Sequence, residues 1–558
     1  MRCRRIATWA ALPLWPMAIL ALPGSPLGPN QLAGQTDLLT VAESTGFTAT
    51  SRHADVLAFL TELQRNSPLV RVETMAVSAE GRAVPLLVIG DPVPSSPLDL
   101  RYDDRAVVYF QANIHAGEVE GKEALMMLAR DLVRGITPGY LDRLVILVAP
   151  IFNTDGNEKI STGNRTNQVG PEGGVGIRYN GQNLDLNRDG MKMESPEVQG
   201  LVENVLLRWD PILFLDSHTH NGSYHQEPVT WTWGLNPNGD QGILAYCADE
   251  LLPDITRRMR ENHGILSVPH GDFVDPMDPA RGWIPLGPQP RYLSNYVGLR
   301  NRFSILNEQY PYVSFETRVR GAYALFSSFL GHVYENTDRL KRLVREADRT
   351  PFQRLSSGMR GQFALEVEAK AIGLPITIQG YEMEMVQGQG PRPRARPTET
   401  LRTYPDLPYL ADWAATRSVP LPSGYLITVH EPAVIHKLLQ HGISVERMVE
   451  AATLRVEQFS VTEATGSSRL NQGHYNTTVS GDYSTVEREF GPGTYFVTLA
   501  QALAPLVASL LEPESDDGLV YWNFFDRHLA TQWSQEAQVY PVFKLHDMAK
   551  LVTEPVNR

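Results

Sequence analysis

Cysteine is almost absent from this 558-residue sequence, which contains only Cys3 and Cys247. A fold held together by several disulfides is therefore excluded, and so is a metal site built from cysteines. Any metal centre has to use histidine nitrogens and carboxylate oxygens instead. Internal repeats are also lacking, and the one low-complexity stretch, from Gln387 to Pro397, is typical of a solvated loop.

A stretch that could span a membrane is lacking as well. The apolar run from Ile6 to Leu22 includes Pro13 and Pro16 and is short for a spanning helix, which needs about 20 residues. Basic residues precede it and Pro23-Gly24 follows it, as in an export signal. We therefore expect residues 1–24 to be a signal peptide, the mature protein to be periplasmic or extracellular, and no stable membrane insertion after cleavage.

Positive charge is scarce relative to negative charge. The chain has 50 Lys and Arg against 63 Asp and Glu, a formal net charge of −13. An excess of acid repels the phosphate backbone, so we expect no nucleic-acid partner. With 42% hydrophobic and 20% charged residues, the composition is that of a globular protein.

The length predicts more than one domain. Residues 40–350 alternate between buried strands and helices, a pattern that predicts an α/β fold with a doubly wound, mixed or mostly parallel sheet and helices on both faces. Residues 352–558 are richer in strands and lack clustered catalytic residue types. We expect them to form an α+β accessory domain.

The most informative stretch contains His115 and Glu118. It begins with a β-rich run from Val107 to Ala112 and continues into a helical pattern from Val119 to Val133. A His and a Glu three residues apart across such a turn can direct a ring nitrogen and a carboxylate oxygen to one metal ion. His115 and Glu118 are therefore candidate metal ligands.

Two further strands end in residues of the same kind. The apolar run from Pro211 to Leu215 leads to His218 and His220, and the run from Phe303 to Leu306 leads to Glu308. Ligands of α/β sheets gather at the carboxyl ends of strands. Two His and one Glu with an open fourth position form a hydrolytic zinc arrangement, and a second carboxylate can take a proton from the metal-activated water.

Before both of these strands lies a Gly- and Asn-rich stretch, residues 153–190, with little periodicity. A loop of this length inside a compact domain is usually functional or disordered. It carries charged and amide side chains that suit an anionic substrate, because guanidinium groups pair with carboxylates in a bidentate way. These candidates are Arg165, Arg178, Asn187 and Arg188, and the same stretch also contains the acidic Asp185.

Four segments together resemble the zinc metallocarboxypeptidase family of the carboxypeptidase A type, in particular its large secreted bacterial members. His115-Ala-Gly-Glu118 matches the segment with the first two metal ligands, and Asn153-Thr-Asp-Gly156 is similar to the family's Asn-Pro-Asp-Gly turn. Asp185-Leu-Asn-Arg188 is similar to its Asp-x-Asn-Arg segment, and Asp216-Ser-His218 to the strand with the third ligand. The resemblance covers about residues 40–350.

The resemblance implies a role for each matched residue. His115, Glu118 and His218 would hold one Zn²⁺ per chain, and Asp185 would orient His115. Asn187 and Arg188 would bind the terminal carboxylate of a peptide, and Arg165 would polarise the scissile carbonyl. Glu308 would be the general base, because Asn307-Glu308-Gln309 resembles the bacterial arrangement.

Alternatives exist for several roles. They are His220 for the third ligand, Glu316 for the base and Arg178 for the carbonyl-binding arginine, while Tyr292 and Tyr296 lie in the interval of the family's mobile tyrosine.

The predicted activity is zinc-dependent hydrolysis of a C-terminal peptide bond, on peptides with a free terminal carboxylate. The alternatives are another zinc amidohydrolase or deacylase, an enzyme that trims peptidoglycan stem peptides, and a non-catalytic peptide- or glycan-binding relative. The sequence does not indicate a side-chain preference.

Overall fold

The structure is a computed structural model that describes residues 37–137, 139–220, 222–387, 394–529 and 538–557. The predicted signal peptide, residues 1–24, lies outside these residues. The chain divides into two units, Met1–Leu38 and Leu39–Arg558, and all elements named below belong to the second. None of the helices within the described ranges is both long enough and apolar enough to cross a membrane.

The N-terminal part of the second unit contains a central sheet and a short hairpin. Its strands are β1 (Val70–Val77), β2 (Ala83–Ile89), β3 (Ala106–Ala112), β4 (Leu144–Ala149), β5 (Leu213–Thr219), β6 (Val229–Trp233), β7 (Ser267–Pro269), β8 (Asp272–Phe273), β9 (Trp283–Ile284) and β10 (Phe303–Gln309). Strands β8 and β9 pair only with each other, and the other eight form the central sheet in the order β1-β2-β4-β3-β5-β10-β6-β7.

The central sheet is mixed, with parallel pairing at its centre. Strands β4, β3, β5 and β10 run parallel to one another, whereas the pairs β1–β2, β2–β4 and β10–β6 are antiparallel. All seven residues of β3 are buried, and so are those of β5 and β10. Strands covered on both faces have continuous rather than alternating hydrophobicity, which is why the sequence predicts them well.

Helices cover both faces of this sheet. They are α1 (Val41–Ser44), α2 (His53–Asn66), α3 (Glu120–Val133), α4 (Thr154–Glu158), α5 (Pro196–Leu201), α6 (Gln241–Tyr246), α7 (Leu252–His263), α8 (Leu293–Gly298) and α9 (Phe315–Ser356). Phe110 of β3 stacks on Phe326 of α9, whereas its neighbour Tyr109 belongs to a core cluster with α5 and α8. Because successive strand residues point to opposite faces, these two contacts place helices on both faces of the sheet. The predicted fold class is confirmed.

The C-terminal region, which we define as residues 357–557, is rich in strands. Its elements are β11 (Gln362–Lys370), β12 (Ile376–Val386), β13 (Arg394–Leu407), β14 (Asp412–Pro420), β15 (Gly424–Ile427), α10 (Pro432–Gln440), β16 (Glu446–Met448), β17 (Ala452–Gly466), β18 (Thr477–Phe490), β19 (Tyr495–Thr498), α11 (Ala504–Leu511), α12 (Asp526–Leu529), β20 (Gln538–Val539), β21 (Val542–Leu545) and β22 (Thr553–Pro555). An antiparallel sheet has the order β18-β17-β21-β15-β19-β16-β22, with β20 beside β17.

One hydrophobic core extends through both parts of this unit. The cluster that contains Tyr109 also includes Leu186 and Leu293 from the N-terminal part and Leu438 and Trp522 from the C-terminal region. Residues 186–193 and 293–297 therefore pack directly against the C-terminal region. The predicted boundary near residue 350 falls in the last turns of α9, and a division into two domains stays a prediction.

Candidate active site

A cluster of three buried donors lies at the carboxyl ends of β3 and β5. His115, Glu118 and His218 each offer one atom, and these atoms all lie within 4.8 Å of one another. The two Nδ1 atoms are 3.2 Å apart, and Glu118 places Oε1 3.1 Å from Nδ1 of His115 and Oε2 3.0 Å from Nδ1 of His218. The structure thus brings together the three residues predicted as zinc ligands.

A tight turn after β3 explains why His115 and Glu118 face the same way. Asn113 has a left-handed φ of 65°, and its buried side-chain amide donates to the carbonyls of Ala116 and Glu118. Asparagine tolerates this conformation better than most residues. Glycine is also needed later in this turn, at Gly117, because a Cβ there would lie 2.5 Å from Cδ of Arg165. Helix α3 then begins at Glu120.

Each histidine of the cluster is held from behind by a carboxylate. Nε2 of His115 lies 3.0 Å from Oδ1 of Asp185, and Nε2 of His218 lies 2.8 Å from Oδ2 of Asp216. When each Nε2–H donates to its carboxylate, the lone pairs of both Nδ1 atoms point to the centre of the cluster. Carboxylate partners of this kind fix the tautomer of metal-binding histidines.

Asp216 is a functional residue that the sequence reasoning did not assign. Its position could have indicated the role, because Asp216 and His218 are two residues apart on β5 and therefore share a face. Asp216 is fully buried, and the charge of its carboxylate reaches the centre of the site through His218.

The electrostatics of the cluster favour a cation. Burial by itself lowers the pKa of His218, but Asp216 and Glu118 outweigh it and raise the pKa well above its ordinary value. Burial would raise the pKa of Glu118, but His115 and Arg165 hold it well below the usual range. The cluster therefore demands positive charge, which a proton or a metal ion can supply. Two nitrogens and a carboxylate in tight convergence fit zinc.

A cavity of about 430 Å³ opens onto this cluster. Five of the eight predicted site residues line it, together with the alternatives Arg178 and Tyr292, whereas His218, Asp185 and Arg165 do not; the five are His115, Glu118, Asn187, Arg188 and Glu308. A larger cavity of about 520 Å³ lies between Trp233 and Trp413 and contains none of them. The chemistry of the residues, rather than the size of the cavity, identifies the candidate active site.

Glu308 lies at the edge of the cluster, because β10 pairs in parallel with β5 and sets Glu308 beside His218. Its side chain is buried, and among the described residues Oε2 has no hydrogen-bond partner. Burial, the largest cause, raises the pKa of Glu308 to about 8, with a smaller contribution from the negative charge of Glu118. Glu316, the alternative, lies in the first turn of α9, pairs with Arg320 and does not line the cavity.

The two candidate arginines occupy different positions. Arg165 donates from Nη1 to Oε1 of Glu118 at 2.9 Å and from Nη2 to the carbonyl of Thr219 at 2.8 Å, and it does not line the cavity. Arg178 does line it, with Nε donating to Oδ2 of Asp185 at 2.7 Å and Nη1 3.3 Å from Nδ1 of His115. Both guanidinium groups therefore contact the cluster, but only Arg178 also lines the cavity.

Asn187, Arg188 and Tyr292 form one further part of the cavity wall. The guanidinium of Arg188 lies over the ring of Tyr292, 4.4 Å from its centroid. Oδ1 of Asn187 accepts the backbone N–H of Leu293 at 2.9 Å, which joins the two segments of this wall. Tyr296 is buried away from the cavity, where its hydroxyl contacts Nδ1 of His441.

His220, the alternative third ligand, is directed away from the three-donor cluster. Its Nε2 lies 3.1 Å from Nε2 of His225, and its Nδ1 accepts the backbone N–H of Gly222. Burial, the largest cause, lowers the pKa of His220 well below its ordinary value. In the structure His220 lines the cavity beside His270.

The α/β fold and a three-donor cluster that could hold a metal ion are the features expected of a metal-dependent hydrolase. The sequence model of the zinc carboxypeptidase family matches residues 56–212. This segment is therefore similar to zinc carboxypeptidases, and the predicted resemblance and enzyme type are confirmed. The matched segment includes His115, Glu118, Asp185 and Arg188 and ends before His218.

Comparisons with individual proteins give a curated relative and several solved structures. Carboxypeptidase 2 of Trichophyton rubrum is 22% identical over 520 residues, which cover 90% of this chain and 88% of the relative. A metallo-carboxypeptidase from Burkholderia cenocepacia is 19% identical, covers 50% of this chain and 68% of its own, and has a TM-score of 0.37. Carboxypeptidase A from Helicoverpa armigera is 18% identical, covers 52% of this chain and 74% of its own, and has a TM-score of 0.39.

Proposed function

We propose that this peptidase removes the C-terminal residue of peptides and holds one zinc ion on His115, Glu118 and His218. One observation carries the proposal: two members of the three-donor cluster, His115 and Glu118, line the same cavity as Glu308 and Arg188. A guanidinium in the same small cavity as the reactive centre suits a substrate whose scissile bond lies next to a carboxylate. Zinc in this site would polarise a carbonyl and make a water molecule acidic.

Glu308 is the group that we assign to proton transfer. Oε2 has no other hydrogen bond in the described part of the chain, so it is available to a water or substrate proton. A carboxylate there takes a proton from the attacking water and returns it to the leaving amine. Glu308 on β10 is paired in register with His218 on β5. Atoms held at the three-donor cluster would therefore lie within reach of Glu308.

We assign different roles to the two arginines that contact the cluster. Arg178 lines the cavity, so we assign it to the oxygen that becomes negative during attack. Arg165, the residue expected from the sequence in that role, contacts Glu118 directly and orients that carboxylate. Comparison of the Arg165→Lys and Arg178→Lys variants tests this division, since only loss of the oxyanion partner lowers kcat with zinc affinity unchanged.

Arg188 and Asn187 select the substrate end. Tyr292 stacks on the guanidinium of Arg188 and limits its rotation, so the carboxylate is met by a preset donor. Nη1 of Arg188 also donates to the carbonyl of Asn187 at 2.8 Å, which fixes the orientation of the side chain further. Recognition at this point restricts cleavage to the terminal bond.

The test uses one peptide in two forms, with a free or an amidated C-terminus, and mass spectrometry of the products. We expect the wild-type protein to release one residue from the free acid and to leave the amide largely intact. Arg188→Ala should raise KM for the free acid at least tenfold, because a charge-assisted pair contributes about 1.5–3 kcal/mol. Arg320→Ala, which removes an exposed arginine on α9, is the matched control.

Other outcomes identify the alternatives. Equal cleavage of the acid and the amide would contradict the terminal-carboxylate assignment and favour an amidohydrolase or deacylase. Cleavage confined to peptidoglycan stem peptides would narrow the substrate class, and zinc binding without any hydrolysis would favour a binding protein. Export stays a prediction that a comparison of secreted and retained protein can test.

A further inference from the structure

The C-terminal region reaches the candidate active site through a hairpin tip. Strands β17 and β18 are joined by a loop whose end is the turn Asn471-Gln472-Gly473-His474. Backbone hydrogen bonds link Asn471 and His474 in both directions, at 2.8 and 2.9 Å. Oε1 of Gln472 accepts the backbone N–H of Asp185 at 2.8 Å, although the two residues are 287 positions apart.

The conformation of Gln472 sets it apart from an ordinary surface residue. Its φ is +51° and that of Gly473 is +85°, as in the two-residue turns that favour Asn-Gly. Glutamine is strained in the left-handed region, where asparagine is better tolerated. Strain at one residue whose side chain contacts a functional segment points to a role for that side chain.

A second contact fixes the same tip. Nδ1 of His474 lies 3.0 Å from Oδ1 of Asn523, and Nε2 lies 2.9 Å from a carboxylate oxygen of Glu194. Asn523 uses its amide nitrogen to donate to the carbonyl of Tyr475, so its oxygen is the acceptor for His474. The tip is thus held against residues 185–194 at two points, and the Gln472 contact has little freedom to drift.

A separate contact from the C-terminal region reaches Arg291, the residue before Tyr292, which lines the cavity. Oδ2 of Asp517 accepts both the backbone N–H of Arg291, at 2.9 Å, and its Nε–H, at 3.0 Å. Asp517 is completely buried and has a φ of +62°. The next residue after Arg291 is Tyr292, which stacks on Arg188. Asp517 therefore holds the loop that carries this stacking partner.

We propose that Gln472 and Asp517 are positioning residues of the active site, so that the C-terminal region is part of the catalytic unit. Gln472 fixes the backbone of Asp185, which orients His115. Asp517 fixes Arg291, and through it the Tyr292–Arg188 pair. The inference rests on the proposed function: the Gln472 part rests on its zinc site alone and can be measured without a substrate, whereas the Asp517 part also needs the peptide substrate.

The first experiment replaces Gln472 in the full-length protein and measures zinc affinity by competition with a chelator. Gln472→Asn suits the left-handed turn better but is one carbon too short to keep the contact with Asp185. We expect zinc affinity to fall about fivefold, as for loss of one hydrogen bond, while the melting temperature stays equal or rises. Gln472→Glu keeps an acceptor of the same length and should stay within about twofold of wild type.

Leu470→Ala is the matched control, because Leu470 lies in the same loop with its side chain exposed. Wild-type zinc affinity in Gln472→Asn would overturn the role of Gln472. A fall in affinity that follows the melting temperature across all the variants, Leu470→Ala included, would also overturn it, since that pattern indicates general destabilisation.

The second experiment replaces Asp517 and separates KM from kcat on a peptide with a free C-terminus. Asp517→Gly permits the positive φ and removes both hydrogen bonds to Arg291. We expect KM to rise about tenfold, with zinc affinity unchanged. Asp517→Asn keeps an oxygen acceptor and tolerates the backbone conformation, so it should restore KM to within about threefold of wild type.

Glu514→Gln is the control for this segment, because Glu514 pairs with Arg417 instead. An unchanged KM in Asp517→Gly, or a loss in kcat and zinc affinity without a change in KM, would overturn the role of Asp517. If the wild-type protein binds zinc but cleaves no peptide, the proposed function fails, whereas the Gln472 experiment still gives its answer.

Discussion

Asp216→Asn tests the support of the metal site at the residue that lies directly behind His218. Asp216 is fully buried and accepts the Nε2–H of His218 at 2.8 Å. An asparagine can present its NH₂ group there, which favours the tautomer with a proton on Nδ1. That proton would point at Glu118 and at the centre of the cluster, where a metal needs a lone pair.

The expected magnitude follows from the role of such carboxylates. Loss of a partner behind a metal-binding histidine costs about 10–100-fold in metal affinity or activity. Because Asp216 is completely buried, water cannot replace it, and we expect a loss near the upper end of that range. Asp216→Asn keeps the shape of the side chain, so the strand should fold normally.

The assay is competition for zinc between the protein and a chromogenic chelator, with circular dichroism to confirm folding. Asp240→Asn is the matched control, since Asp240 caps α6 and asparagine accepts the same backbone N–H groups. Zinc affinity in Asp216→Asn within about twofold of wild type would refute the reasoning, because the tautomer of His218 would then not depend on Asp216.

Two further predictions concern the turn after β3 and the hairpin tip. Gly117→Ala places a Cβ 2.5 Å from Cδ of Arg165 and 3.0 Å from the carbonyl oxygen of Gly176. We expect Arg165 to be displaced from Glu118, which a lower kcat would report. We also expect the free energy of unfolding, measured with urea, to fall by about 1–3 kcal/mol. The hydrogen bond with Glu194 is the largest cause of the raised pKa of His474, whereas burial and the charge of Lys192 lower that pKa. The His474–Glu194 contact should therefore stabilise fully below about pH 6.5 and lose its effect as pH rises through the raised pKa. The difference in urea midpoint between wild type and His474→Gln should shrink from pH 6 to pH 9, whereas a constant or growing difference would contradict it.

The sequence predicts the sheet and the three-donor cluster well for a physical reason. Strands buried on both faces need continuous apolar runs, as from Val107 to Ala112, and the turns that follow them bear the polar residues. The spacing of His115 and Glu118 is local, so the sequence itself contains the geometry. The same holds for Asp216 and His218, which are two residues apart on β5 and share a face.

The rest depends on contacts that no local pattern encodes. Arg165 and Arg178 lie in a loop without periodicity, so the sequence cannot decide which guanidinium reaches the cavity. The contact of Gln472 with Asp185 joins residues 287 positions apart, and its acceptor is an ordinary glutamine in a surface turn. Only the packing of the C-terminal region against the loops of the site brings such pairs together.

The most direct test of the account is to measure zinc content and peptide hydrolysis in Glu308→Gln beside the wild-type protein. Glutamine fills the same space but cannot accept a proton from water, so the metal site should be preserved while turnover is lost. We predict one zinc per chain in both proteins and a kcat at least 100-fold lower in the variant. Zinc retained with wild-type turnover would contradict the role of Glu308, and a wild-type protein that binds no zinc under zinc-replete conditions would contradict the metal site itself.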